Sequence, residues 1–477
     1  MPGELRTGRE REQQMAKDTQ GRATGGEGAA PPPHPSGTVA DPAAPLPGPP
    51  APPAPATGLG SRFLRLWAAV TFANLGQGAG AIAFPWLATT LTGNPLAIAL
   101  VGAAVRLPWL LFSLPAGVLA DRLDRRRIML AMSAARAVVV GTVALLVALD
   151  VMSLPLLYVC ALVLGFAEVL FDNTSQVLLP SLVDRDRLAA ANGRLMAGQV
   201  VTEDFFARPL GGFLIGVAVA VPFAFDALTA VVAGVLLLTL RGTFRAVRVP
   251  TQPGPAEAPA ARRRMRAEIA EGVRHLWGHL LLRPLAISLA VLNMVGQGAM
   301  ATYVLYAQEI LGLGALGFAV LTSVGGVGGL LGGLLASRLT RRIGEARSLF
   351  CLLAIECVAY GTAALSSNAY AVGAAMSISG FGVVMWNVVT VSLRQTLIPD
   401  HLLGRVNSVY RLLGWGTMPL GMAAVGGLAV AVEALVSREA GLRAPYAVAL
   451  LGIAALSLYM RRHLRQRGID AALGTRP

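Results

Sequence analysis

The chain has 477 residues, 55% of them hydrophobic and only 14% charged, with a mean hydropathy of +0.61. That balance suits a polytopic membrane protein and excludes an ordinary soluble enzyme of this length. The formal charge of +14 lies in short arginine clusters between apolar runs, so its partner is an anionic lipid leaflet and not nucleic acid.

Residues 1–57 begin polar and become rich in Pro, Ala and Gly, as in Pro49-Pro50-Ala51-Pro52-Pro53. Such a composition cannot bury a core, so a disordered cytoplasmic tail is expected. It lacks the apolar region and small-residue cleavage site of a secretory signal.

From Phe63 onward, apolar runs alternate with short polar breaks. Twelve spans are expected, near 63–90, 97–120, 128–149, 154–179, 197–220, 222–240, 284–308, 315–337, 348–366, 370–398, 410–432 and 445–460. Loops 91–96, 149–153 and 366–369 hold no arginine. The alternate loops carry Arg122, Arg125, Arg126 and Arg127, then Arg185, Arg187 and Arg194, then Arg338, Arg341, Arg342 and Arg347, then Arg405 with Arg411. Both termini on the cytoplasmic side satisfy the positive-inside rule.

The long break at 241–283 divides the spans into an N-terminal bundle at 58–240 and a C-terminal bundle at 284–461, with a cytoplasmic tail at 462–477. Within that break, Ile269, Val273, Leu276, Trp277 and Leu280 recur at helical spacing among charges. An amphipathic helix lying on the inner membrane surface is expected there.

The turn after the second span reads Gly117-Val118-Leu119-Ala120-Asp121-Arg122-Leu123-Asp124-Arg125-Arg126. It recurs 216 positions later as Gly333-Leu334-Leu335-Ala336-Ser337-Arg338-Leu339-Thr340-Arg341-Arg342. Two such copies mark a duplicated membrane unit. Two six-span halves, a long central loop and this basic turn resemble the major facilitator superfamily. The resemblance implies an all-α fold of two pseudo-symmetric six-helix bundles with a midplane cavity that opens alternately to either side. It also implies that Gly117, Asp121, Arg122, Arg125 and Arg126 latch one state of that cycle. Only the first copy keeps the acid, since Ser337 stands at the second. Pro180-Ser181-Leu182-Val183 with Leu188-Ala189-Ala190-Ala191-Asn192, and Ile398-Pro399-Asp400 with Leu403-Gly404-Arg405-Val406-Asn407, resemble the branch of siderophore (enterobactin) and macrolide exporters. The chain departs from the superfamily's antiporters at Ala207-Arg208-Pro209-Leu210-Gly211-Gly212, where an arginine replaces a small residue or proline.

Each ionisable residue inside a span costs about 2.5–3.5 kcal/mol to insert, so each needs a reason. Span 4 carries Glu168 and Asp172 on one face, continued by Ser175 and Gln176. Span 5 carries Glu203, Asp204 and Arg208. Counted inward from the cytoplasmic ends at about 1.5 Å per residue, Asp172 and Asp204 lie about 10 Å deep, and Glu168 and Arg208 about 16 Å. A Glu168–Arg208 ion pair fits this spacing, either within a proton-coupling site or as a purely structural tie. Arg106 and Arg136 have structural roles in this reading, and Asp226 and Glu356 stand as lone acids.

Gly165-Phe166 matches Gly380-Phe381, and Leu188–Asn192 matches Leu403–Asn407, both at an offset of 215. That offset carries Asp172 onto Asn387 and Phe171 onto Trp386. A proton site of Asp172, Glu168, Glu203, Asp204 and Arg208 in one half would then face a substrate cavity of Phe171, Gln176, Trp386 and Asn387. Phe84, Tyr303, Tyr306 and Trp415 are further candidates for that lining, with ordinary packing as the plainer reading. The glycine run around Gly325–Gly329 follows no strand and lacks the Lys-Ser/Thr of a phosphate loop, so it reads as close helix packing.

The three cysteines and five histidines show no metal, disulfide or triad spacing. No cofactor and no enzymatic activity are expected. The sequence points to a monomeric plasma-membrane transporter that exports a small amphiphilic drug or natural product by proton antiport. Uptake or lipid translocation by the same fold is an alternative, as is a non-transporting scaffold or sensor.

Overall fold

The computed structural model describes residues 59–240, 242, 244 and 270–463. The expected N-terminal tail, residues 464–477 of the C-terminal one and most of the linker, 245–269, lie outside the described residues, while Arg462 and His463 end the last helix. Among the described residues there is no strand, and the long helical runs number twelve. In chain order they are α1 (Ser61–Leu91), α2 (Pro95–Arg122), α3 (Arg125–Ala148), α4 (Leu154–Leu178) and α5 (Leu188–Gln199, Val200–Ala207 and Arg208–Val217 end to end). Then come α6 (Val221–Leu238), α7 (Leu282–Ala301, prolonged by Tyr303–Leu305 and Tyr306–Ile310), α8 (Ala315–Ile343), α9 (Glu345–Leu365), α10 (Ala369–Leu397), α11 (Asp400–Leu435) and α12 (Arg438–His463).

Ten of these helices are long and apolar enough to cross a membrane. The other two are α1, diluted by Asn74, Gly76, Gln77, Gly78 and Gly80, and α5, which is interrupted by a π segment and carries charges. Several helices start earlier than expected: α5 at Leu188, α11 at Asp400 and α12 at Arg438. Hydropathy marks only the stretch that sits in hydrocarbon, and these helices run on through charged turns beyond it; side-chain caps instead mark the starts of α2, α3 and α10. The Asn94 side chain accepts from the Leu96 and Ala97 amides, Asp124 from Arg127, and Asn368 from Tyr370 and Ala371.

The expected linker helix is helical over 270–278. Leu276 is buried, Val273, Trp277 and Leu280 are exposed, and Glu271 pairs with Arg405 at the start of α11.

Small residues set the closest helix contacts, as expected where lipid removes the hydrophobic drive between helices. Gly165 of α4 lies against the carbonyl of Val105 in α2, and Gly380 of α10 lies against the carbonyl of Gly325 in α8. The same junction therefore recurs in both halves at the sequence repeat. The glycine run of α8 serves as packing surface: a methyl group at Gly328 would land on the carbonyl oxygen of Ser377. Gly328→Ala is expected to destabilise the fold by about 1–3 kcal/mol, the usual cost of overpacking. Gly333→Ala, with nothing within 4 Å, should leave the melting temperature unchanged or slightly higher. Thermal unfolding of the purified variants distinguishes them, and equal melting would show that the α8–α10 seam relaxes freely.

The halves meet at the arginine-poor end and in the middle of the bundle. Gly426 of α11 packs on Leu96 and Ala99 of α2, and Gly212 of α5 packs on Ala315, Leu316 and Ala319 of α8. Gln308 donates to Thr89 Oγ1 at 3.0 Å, and Trp109 of α2 stacks on Trp415 of α11 with ring centroids 4.6 Å apart.

Candidate functional site

The widened segment of α5 controls the charges it carries. From Val200 to Ala207 the backbone bonds at i→i+5, ending with the Arg208 amide on the Glu203 carbonyl, and Pro209 supplies no amide of its own. That winding brings positions five apart onto one face alongside those four apart. Arg208 accordingly reaches both acids of its own helix, Asp204 at 2.9 Å and Glu203 at 3.7 Å. Gln199 Nε2 also donates to Glu203 Oε2 at 3.3 Å. The expected Glu168–Arg208 pair does not form; Glu168 instead lies 3.5 Å from Arg106 of α2. The π winding of α5 turns Arg208 toward its own acids, and Arg106 is the nearer cation to Glu168.

Arg136 and Asp226, singly placed by the sequence, belong together. Arg136 Nε and Nη2 donate to the two oxygens of Asp226, each at 2.8 Å. Asp226 is wholly buried. Gly76 and Gly80 of α1 leave room for this carboxylate, since a methyl at Gly76 would overlap it. A two-pronged guanidinium–carboxylate contact thus joins α3 to α6 beneath α1.

Asp172 faces a small cavity of about 20 Å³, lined also by Gln77, Ser133, Arg136, Glu168 and Phe171. That volume suits about one water molecule. Among the described residues no cation lies within ion-pair distance of Asp172, although the Arg136 guanidinium lines the same cavity. Asp204 faces elsewhere, with its Cβ toward Gly326 of α8 in the other half. The structure therefore brings Asp172 and Glu168 together, places Glu203 near enough to act electrostatically on both, and ties Glu203 and Asp204 to Arg208 on α5.

The central cavity is much larger, about 720 Å³. It lies mainly against α7, α8, α9, α10 and α11, with Ala81, Ile82 and Pro85 of α1 and Arg208 of α5 closing the remaining side. Trp386 and Asn387 line it as expected, and Tyr303 and Trp415 do so too. Phe171 and Gln176 do not. Phe171 is packed in the core of the N-terminal half, and Gln176 is exposed. Phe84 packs edge-on against Phe223, and Tyr306 packs against Tyr446. The offset of 215 thus relates backbones but not roles, because the cavity is built asymmetrically from the C-terminal half.

Glu356 stood out in the sequence as a lone acid and Arg411 as a loop charge, but Ser379 and Arg394 did not stand out. Ser379 donates to both oxygens of the buried Glu356, at 2.8 and 2.9 Å. Arg394 lies 4.2 Å over the ring of Tyr410 and donates to Asn407 Oδ1 at 3.2 Å. Arg411 also lines the wall. An arginine inside the expected span 370–398 was the available signal for Arg394.

At the basic turn, the side chains of Gly117, Asp121 and Arg122 lie outside the described residues. Arg126 donates to the carbonyls of Leu237 and Leu238 at 2.9 and 2.7 Å, which covers the C-terminus of α6. Asp124, beyond capping α3, accepts from the Phe244 amide at 3.3 Å, and the Arg125 amide donates to the Phe244 carbonyl at 3.4 Å. These described contacts fasten the turn to its own half.

A family model described as Major Facilitator Superfamily matches residues 66–422. The multidrug efflux pump Tap of Mycolicibacterium fortuitum is 27% identical over 422 residues, covering 85% of this chain and 97% of that protein. The multidrug efflux pump Tap of Mycobacterium tuberculosis (strain ATCC 25618 / H37Rv) is 27% identical over 428 residues, covering 87% of this chain and 96% of its own length. Among solved structures, a bacterial homologue of the iron transporter ferroportin in an inward-facing state superposes with a TM-score of 0.66 at 17% identity, covering 85% of this chain and 99% of that one. The nucleoside transporter NupG superposes with a TM-score of 0.62 at 10% identity, covering 85% and 100%. The duplicated helical halves, the basic turn and the midplane cavity agree with that match along the chain, which belongs to the major facilitator superfamily.

Proposed function

We propose that this chain is a proton-driven exporter of small amphiphilic compounds, drugs or natural products, in the plasma membrane. The observation that carries the reading is the central cavity of about 720 Å³, largely apolar and aromatic with a few placed polar groups. Such a lining suits drug-sized amphiphiles. Similarity to multidrug efflux pumps along nearly their whole length supports the direction of transport. The single chain encloses the whole cavity, which supports a monomer as the working unit. Proton coupling is assigned to Asp172 with Glu168, and to the neighbouring group of Glu203, Asp204 and Arg208. A scaffold would gain nothing from acids held inside spans.

The arginine-rich end is assigned to the cytoplasm, with both termini on that side. The cavity extends toward that end as far as Arg394, three residues from the C-terminus of α10 at Leu397, while the opposite end is packed shut. This state is then inward-facing, ready to load from the cytoplasm.

The test is drug retention in a pump-deficient bacterial strain overexpressing the protein. Anionic, zwitterionic and cationic amphiphilic antibiotics should be compared with and without a protonophore. At least one compound is expected to be retained less than in the empty-vector strain, with retention restored by the protonophore. Greater retention on overexpression would instead show uptake.

A further inference from the structure

The charges along the central cavity are unevenly placed. Arg208 has Asp204 and Glu203 as partners, and Glu356 is held by Ser379. Arg394 and Arg411 line the wall without any carboxylate within ion-pair distance among the described residues. Among the described residues, Arg394 meets neutral groups: the Asn407 and Thr390 oxygens and the face of Tyr410. Ser379 and Arg394 are fifteen residues apart on α10, so Glu356 and Arg394 are about 22 Å apart along that helix and do not neutralise each other.

Two further side chains of the same wall lack partners. Trp386 is 4% exposed and Tyr410 1%, yet the Trp386 indole N–H and the Tyr410 hydroxyl make no hydrogen bond. Both polar atoms are themselves closed off from the open space of the cavity, so the direct contacts open to an entering molecule on these two helices fall to the arginines. Indole and guanidinium are donors only, and a hydroxyl is a donor as well as an acceptor. The facing walls of α10 and α11 thus present two arginines, hydrogen-bond donors whose charge meets no carboxylate among the described residues.

We infer that Arg394 and Arg411 form an anion subsite, at which the anionic group of an amphiphile docks while its apolar body lies against the aromatic wall. The chemistry recognised is a carboxylate, sulfonate or phosphate, carried either by a small solute or by a lipid headgroup. The inference rests on the export reading for the cavity's role, but its test requires binding alone.

The full chain is placed in phosphatidylcholine nanodiscs and titrated with two probes sharing one fluorophore, followed by energy transfer from tryptophan to dansyl. The first probe is dansylglycine, an anion; the second is its trimethylammonium-ethyl dansylamide counterpart, a cation. Dansylglycine is expected to bind more tightly. Arg394→Gln and Arg411→Gln should each weaken it about tenfold, the loss of one charge-assisted hydrogen bond, and leave the cation unaffected or tighter. Arg411→Lys should keep most of the affinity. Arg411 is exposed to the cavity, so its variants test the idea even if Arg394→Gln misfolds.

Replacing part of the lipid with phosphatidylglycerol separates the two sources. Competition seen in the parent but not in Arg411→Gln identifies a headgroup, and unchanged affinity identifies a small solute. Equal binding of anion and cation, or dansylglycine affinity untouched in both arginine variants, overturns the inference. If export is intact in the same variants, the export reading survives that failure.

Discussion

Asp172→Asn is expected to keep substrate binding while losing export driven by a pH gradient. The carboxylate lies in a cavity of about 20 Å³ beside Glu168 and Gln77, with no ion pair of its own among the described residues. A carboxylate held this way can accept a proton from one side of the membrane and release it to the other as the halves rock. Asparagine has nearly the same shape but never carries the charge, so the variant should behave as a permanently protonated acid that still rocks but never releases a proton. Exchange of labelled for unlabelled substrate without a gradient should survive, because that reaction needs rocking but no proton release. Asp204→Asn reports on the neighbouring group on α5. Its acid pairs with Arg208 and faces α8, so its loss should disturb contact between the halves as well as any proton step. Flux assays with and without a gradient resolve the two variants. Gradient-driven export by Asp172→Asn at the parental rate would remove Asp172 from the coupling role.

The largest effect on stability is expected at Asp226. Its carboxylate is wholly buried and takes both prongs of Arg136 at 2.8 Å. Asp226→Asn leaves the guanidinium charge buried without its counterion, and breaking such a pair costs about 3–5 kcal/mol. Loss of that size consumes much of a typical protein's stability, so the variant should be poorly expressed and melt well below the parent. The double variant Asp226→Asn with Arg136→Gln removes the stranded charge and should recover much of the loss. Fluorescence-detected size exclusion after a temperature ramp gives both values. A single variant as stable as the parent would show that water or a neighbouring acid compensates Arg136. The other groups near Arg136 are Glu168 and Asp172, which share a cavity wall with it. Asp226→Asn could therefore also move Arg136 toward Asp172, and surviving protein should be checked for altered coupling.

The sequence carried the fold well because its signals are local. Arginine-free loops, the repeated basic turn and the glycine run of α8 each report on one helix or one turn, and each agrees with the architecture. Helix starts were less legible, since α5, α11 and α12 continue through polar, charged turns before their apolar stretch begins. The site was legible as a set of residues but not as a set of pairs. Asp172, Glu168, Arg208, Arg136 and Asp226 all stood out as charges inside spans. Which arginine serves which acid depends on how α1, α3 and α6 meet and on the π winding of α5, and hydrophobic periodicity encodes neither. The cavity lining failed in a similar way. Symmetry carried Phe171 onto Trp386, but only Trp386 reaches the central space. Repeats preserve the backbone path, while side chains in the two halves diverge freely once each has its own neighbours.

Inside-out membrane vesicles energised by respiration have an acidic lumen that corresponds to the cell exterior. Adding an exported compound identified by the retention test should make that lumen less acidic, as read by a pH-sensitive dye, while the compound accumulates inside. Vesicles carrying Asp172→Asn should show neither response. Accumulation of the compound with no change in lumen pH, or its movement out of the lumen, would contradict proton-driven export.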